Sequence, residues 1–88
     1  MHFRFVGTNI FLYNSDEPWS EWCWRKDNTI IYTVLSLRKE KRPGKKGKQG
    51  DVVNWYTLID QNGKIFFLSL VSQTIEELAA RGKITPVS

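Results

Sequence analysis

Between positions 38 and 48 the chain carries seven cationic side chains: Arg38, Lys39, Lys41, Arg42, Lys45, Lys46 and Lys48, with one carboxylate, Glu40, among them. Clustered ammonium and guanidinium groups neutralise anionic oxygens, lysine as a point charge and arginine also as a two-pronged donor to phosphate. The rest of the chain holds six basic and eight acidic residues, so the net charge of +4 arises in this one place. The segment Lys39–Gly50 contains three Gly, one Pro and no apolar residue. It has nothing to bury and is expected to project as a flexible basic loop. Structureless loops of this length in a small domain generally serve function or are disordered. Three roles fit: an arm along phosphates or another polyanion, a solvated turn, or a nuclear-import signal in a eukaryote.

Aromatic side chains are the second set with recognition chemistry. The chain has five Phe, four Trp and three Tyr. Rings beside positive charge can stack unpaired bases, for about 1–3 kcal/mol each. Tyr56 and Phe67 are the expected platforms, set diagonally on the more polar face of a hairpin. A domain this small also needs aromatic rings for its core, where each buries about 150–250 Å². Trp19 follows a loop proline and is the tryptophan expected to be most exposed, a candidate anchor for a protein partner.

Catalytic sets are hard to assemble. His2 is the one histidine and Cys23 the one cysteine, which excludes an internal disulfide and a cysteine-rich zinc site. Asp16, Glu17 and Glu21 cluster without a nearby histidine, and no Ser/His/Asp or Cys/His arrangement is available. Cys23 alternates with Trp22 and Trp24 and reads as a packed small hydrophobe. The glycines of the basic loop lack the G-x-x-x-x-G-K-[ST] pattern and precede a strand rather than a helix. A small ribonuclease working with Arg, Glu and Tyr stays open. No cofactor or metal is expected.

These side chains must be positioned by elements readable from pattern. His2–Val6 and Ile10–Tyr13 read as a short hairpin or two short strands, and residues 14–18 as a loop. Trp19–Lys26 and Thr29–Arg38 read as a hairpin turning at Asp27-Asn28, with Trp24 opposite Ile31 and Trp22 opposite Thr33. Asn62-Gly63 signals a two-residue hairpin turn. That register pairs Ile59 with Phe66, Thr57 with Leu68 and Trp55 with Leu70 on the core face. It leaves Leu58–Phe67, Tyr56–Ser69 and Asn54–Val71 on the other. Thr74-Ile75-Glu76-Glu77 has the capping-box pattern, Ile75, Leu78 and Ala79 form an apolar stripe, and Gly82 can end the helix. Two turns are too short to stand alone, so this helix must dock on the sheet. Lys83–Ser88 is an edge strand or a tail.

From Trp55 to Arg81, Trp55-Tyr56 on a strand, Asn62-Gly63-Lys64 at the turn, a second strand and the Thr74–Glu77 helix start follow one another. This span, under a third of the chain, resembles the strand–strand–helix DNA-binding modules at the front of some phage and transposon integrases.

Together these readings predict one mainly β (α+β) domain over residues 1–88, with five or six antiparallel strands as a small barrel or twisted sheet and one short C-terminal helix. No apolar run reaches the roughly 18–20 residues of a membrane helix, and Met1–Phe5 lacks the apolar stretch of a secretory signal. An intracellular, cytoplasmic location is expected, nuclear in a eukaryote. The leading expectation is a non-enzymatic DNA- or RNA-binding domain contacting phosphates through the basic loop. The alternative is a small phage-type inhibitor or adaptor that binds a nucleic-acid-processing protein through a sheet edge and Trp19.

Overall fold

A computed structural model describes residues 1–7, 11–15, 22–24, 28–44, 46–47 and 50–87. Among them lie seven strands and one helix: β1 (His2–Phe5), β2 (Phe11–Tyr13), β3 (Trp22–Trp24), β4 (Tyr32–Lys41), β5 (Val52–Asp60), β6 (Ile65–Val71), α1 (Ile75–Ala80) and β7 (Ile84–Val87). They form a single sheet of order β3-β2-β6-β5-β4-β1-β7, with every pairing antiparallel. The sheet curls into a half-barrel with the helix near its C-terminal end. This is the mainly β fold class expected, and Ile84–Val87 forms an edge strand rather than a tail.

Side chains alternate across a strand, so register decides which residues share a face. One face carries Phe3, Phe5, Leu12, Tyr32, Tyr56, Leu58, Phe66, Leu68 and Leu70, closed by Ile75 and Leu78 of α1 and by Ile84. At its centre the rings of Phe3, Phe5 and Tyr32 meet with centroids 5.2–5.9 Å apart, and Phe66 packs edge-on to Tyr32 at 6.1 Å. Much of the aromatic content is therefore core material.

Of the two readings of the N-terminal segment, separate short strands is the one present: β1 lies between β4 and β7 while β2 lies between β3 and β6. One pairing does differ from expectation, since β3 and β4 make no hairpin. Trp24 pairs with Phe11 and Trp22 with Tyr13, whereas Tyr32 and Thr33 pair with β1 and β5. A turn does occur at Asn28–Thr29, but turn chemistry bends the chain without choosing the strand that follows as partner. The β-branched Thr29–Val34 run finds its ladder on β5, across the basic loop.

The β5–β6 hairpin is present, with its register displaced by one residue. Leu58 pairs with Phe66, Tyr56 with Leu68, Thr57 with Phe67 and Trp55 with Ser69. The loop has three residues, Gln61–Gly63, and Gly63 is left-handed at φ +83°. Asp60 selects it by accepting the N–H groups of both Asn62 and Lys64 on Oδ1, at 2.9 Å each. Three-residue loops of this kind place a glycine in the left-handed position. One extra loop residue exchanges the faces of β5, bringing Tyr56 and Leu58 into the main core cluster and turning Trp55, Thr57 and Ile59 to the other face, where Trp55 is still buried.

The helix follows its local signals. Thr74 Oγ1 accepts the Glu77 N–H at 3.2 Å, and Ile75 and Leu78 are buried. At the other end Gly82 N–H donates to the Ala79 carbonyl and Lys83 N–H to that of Leu78, with Gly82 at φ +73°. That pair of bonds satisfies the last-turn carbonyls. The sheet fixes where the helix begins: Tyr56 Oη accepts the Ile75 N–H at 3.2 Å, and Asn54 Nδ2 donates to the Gln73 carbonyl at 2.6 Å.

Candidate nucleic-acid interface

The basic segment is two different structures. Arg38, Lys39 and Lys41 belong to β4, paired with Trp55, Asn54 and Val52 of β5. The connection begins after them, where Arg42 N–H donates to the Asp51 carbonyl at 2.8 Å and extends the ladder by one step. Gly50 closes the base of the loop: a Cβ there would collide with the Arg42 carbonyl, so only glycine lets the two chains approach. The loop expected over 39–50 is shorter than that, and its first three residues are strand. β4 and β5 with their connection form one hairpin arm of the sheet, which carries the basic cluster.

Along this arm the cations differ. Lys39, Lys41, Arg42 and Lys46 are exposed, and among the described residues none of them pairs with a carboxylate. Arg38 is held instead. Its Nη1 lies 3.6 Å from Glu40 Oε2, with the two side chains 51% and 41% exposed, and its guanidinium sits 5.8 Å from the centre of the Trp55 ring. The Trp55 indole N–H donates to the same Glu40 oxygen at 3.0 Å. Glu40 thus ties Arg38 to Trp55 and offsets one charge of the cluster. Sequence reading missed this arrangement, although Arg38 and Glu40 two apart on a strand must share a face. Lys45 and Lys48 lie outside the described residues.

The two expected stacking residues are not neighbours. Tyr56 is 4% exposed, within the core and bonded to the helix start, and offers no ring face to a base. Burial raises its pKa above the ordinary tyrosine value; the Ile75 N–H opposes this, while Glu76 and Glu77 add to it. The cause of the misplacement is the displaced hairpin register. Phe67 is half-buried on the opposite face, paired across the sheet with Tyr13 and Thr57. Arg38 and Trp55 share that face, with Tyr13 and Trp55 centroids 5.7 Å apart. Two strand spacings across the sheet and a short step along it separate Phe67 from Arg38, roughly 12 Å between backbones. Trp19 falls outside the described residues, as do Asp16, Glu17 and Glu21.

His2 is exposed, its Nδ1 2.7 Å from Thr33 Oγ1. Among the described residues no three His, Cys, Asp or Glu side chains come together as metal ligands, and no helix is long and apolar enough to cross a membrane. The chain matches no known protein family, no characterised protein and no solved structure.

Proposed function

We propose that this chain is a non-enzymatic nucleic-acid-binding domain whose β4–β5 arm lies along phosphates. One observation carries the reading: Lys39, Lys41, Arg42 and Lys46 stand exposed on one hairpin without carboxylate partners among the described residues. Arg38 adds a fifth charge when phosphate displaces Glu40. Contacts of this kind position a protein on a backbone and read no bases, so binding is general rather than sequence-specific. Phe67 is a half-buried ring on the Arg38 face, the side of the sheet opposite Lys39 and Lys41.

Fluorescence anisotropy with labelled single- and double-stranded oligonucleotides of random sequence tests this. Five phosphate contacts on duplex DNA predict a loss of about 500-fold in affinity between about 50 and 200 mM salt. Replacing Lys39, Lys41, Arg42 and Lys46 together by glutamine is expected to abolish binding without unfolding the chain. Absence of binding by the native protein at the lower salt overturns the proposal.

A further inference from the structure

Beyond Val34 the outer side of β4 has no strand beside it among the described residues. β1 pairs only with Tyr32 and Thr33, and the last bond on that side runs from the Val34 N–H to the Met1 carbonyl at 3.0 Å. A bulge between Val34 and Ser36 then shifts the register. Antiparallel ladders alternate residues that bond inward with residues that bond outward. Arg42 bonds inward, to Asp51, so Glu40, Arg38 and Ser36 do the same. Leu37, Lys39 and Lys41 therefore direct their N–H and C=O groups away from the sheet. Their side chains share one face, and Leu37 is 45% exposed beside Leu35 at 53%.

A row of outward backbone groups with apolar side chains at one end is a template for strand addition. Charge selects the occupant. A second copy of this chain would bring its own Arg38, Lys39, Lys41 and Arg42 against the same set, and edge lysines discourage such self-pairing. The same lysines attract carboxylates. We propose that the Leu35–Lys41 edge binds an extended acidic segment of another protein as an added strand. On the partner strand an apolar residue lies opposite Leu37 and acidic residues lie opposite Lys39 and Lys41. This goes beyond nucleic-acid contact and does not depend on it: Lys39 and Lys41 serve both readings, but the outward backbone groups of Leu37, Lys39 and Lys41 recognise a strand and not a phosphate backbone.

The test uses a labelled synthetic peptide reading Val, Glu and Glu on one face with Thr between, titrated against the whole chain. Binding is expected to protect the Leu37, Lys39 and Lys41 amides from hydrogen exchange. A peptide of the same composition interrupted by proline is expected to bind at least about tenfold more weakly. Leu37→Pro removes an outward donor while sparing the ladder to β5, since proline is tolerated where an edge N–H faces solvent; it is expected to lose the peptide. Should that variant not fold, backbone N-methylation of the peptide removes the same bonds from the other side. Replacing Arg42 and Lys46 by glutamine is expected to leave peptide binding intact while weakening oligonucleotide binding. Equal binding of the interrupted peptide, or protection of these amides by self-association without peptide, overturns the proposal.

Discussion

The hydroxyl of Tyr56, on a central strand, accepts the backbone N–H of Ile75, the first residue of α1, across 3.2 Å. The first amides of any helix lack partners within it. Here the sheet supplies one and thereby fixes the helix against the core. Tyr56→Phe keeps the ring and removes the acceptor, leaving a buried N–H unpaired. The expected cost is about 1–3 kcal/mol, read as a lower denaturant midpoint, with oligonucleotide affinity unchanged because no cation and no exposed ring is altered.

The same hydroxyl predicts a pH dependence. Burial is the largest influence on it and raises its pKa in the folded state. In the unfolded chain it ionises near its ordinary value of about 10. Its contribution to stability is therefore fully present below that value and lost as pH rises through the folded one. Urea midpoints measured into the alkaline range should fall more steeply for the native protein than for Tyr56→Phe. Identical slopes would show that Tyr56 ionises alike in both states.

Asp60 holds the hairpin turn through one carboxylate oxygen that takes two amides. Asp60→Ala strands the Asn62 and Lys64 N–H groups and is expected to cost about 1–3 kcal/mol. Asp60→Asn keeps an oxygen acceptor and should cost much less. Accelerated exchange of the Asn62 and Lys64 amides in the alanine variant alone is the matching signature.

This turn also shows what could be read from sequence. Asn62-Gly63 correctly announced a hairpin, and Phe66, Leu68 and Leu70 were correctly placed on the core face. The error lay on β5, where Val53, Trp55, Leu58 and Ile59 are apolar on both sides, so alternation could not choose between registers. The deciding group was the Asp60 side chain, and a turn motif read from two residues does not include it. The helix was legible because its cap, stripe and terminating glycine are local. Strand partners were not: nothing near Thr29–Val34 encodes that its ladder lies on β5, beyond the basic loop. The cationic cluster was legible as composition, whereas the capture of Arg38 by Glu40 and Trp55 needed the cross-strand register.

Gly50 makes the arm sensitive to one methyl group. Gly50→Ala drives a Cβ into the Arg42 carbonyl, and the backbone must part to admit it. Overpacking of this order costs about 1–3 kcal/mol, and the Arg42 amide is expected to lose its protection from exchange. Gly47 has open space around it, although its φ of +74° disfavours a side chain. Gly47→Ala is accordingly expected to cost about 1 kcal/mol, the left-handed penalty alone. Melting curves of the two variants separate collision from backbone preference.

Glu40 provides the sharpest separation of stability from binding. Its carboxylate meets Arg38 at 3.6 Å and the Trp55 indole at 3.0 Å, yet both charged side chains are about half exposed. An ion pair in that setting contributes about 0–1 kcal/mol, and in Glu40→Gln the amide oxygen can still accept the indole N–H. The variant should therefore melt within a few degrees of the native protein. Its charge effect is larger: one carboxylate leaves the phosphate-facing arm and Arg38 is released. If the arm binds nucleic acid, affinity rises because Arg38 meets phosphate without first giving up Glu40, while the slope of log K against log salt keeps its five-contact value. An affinity that does not rise, with the fold intact, would mean that Arg38 touches no phosphate and that the interface is confined to the cations beyond it.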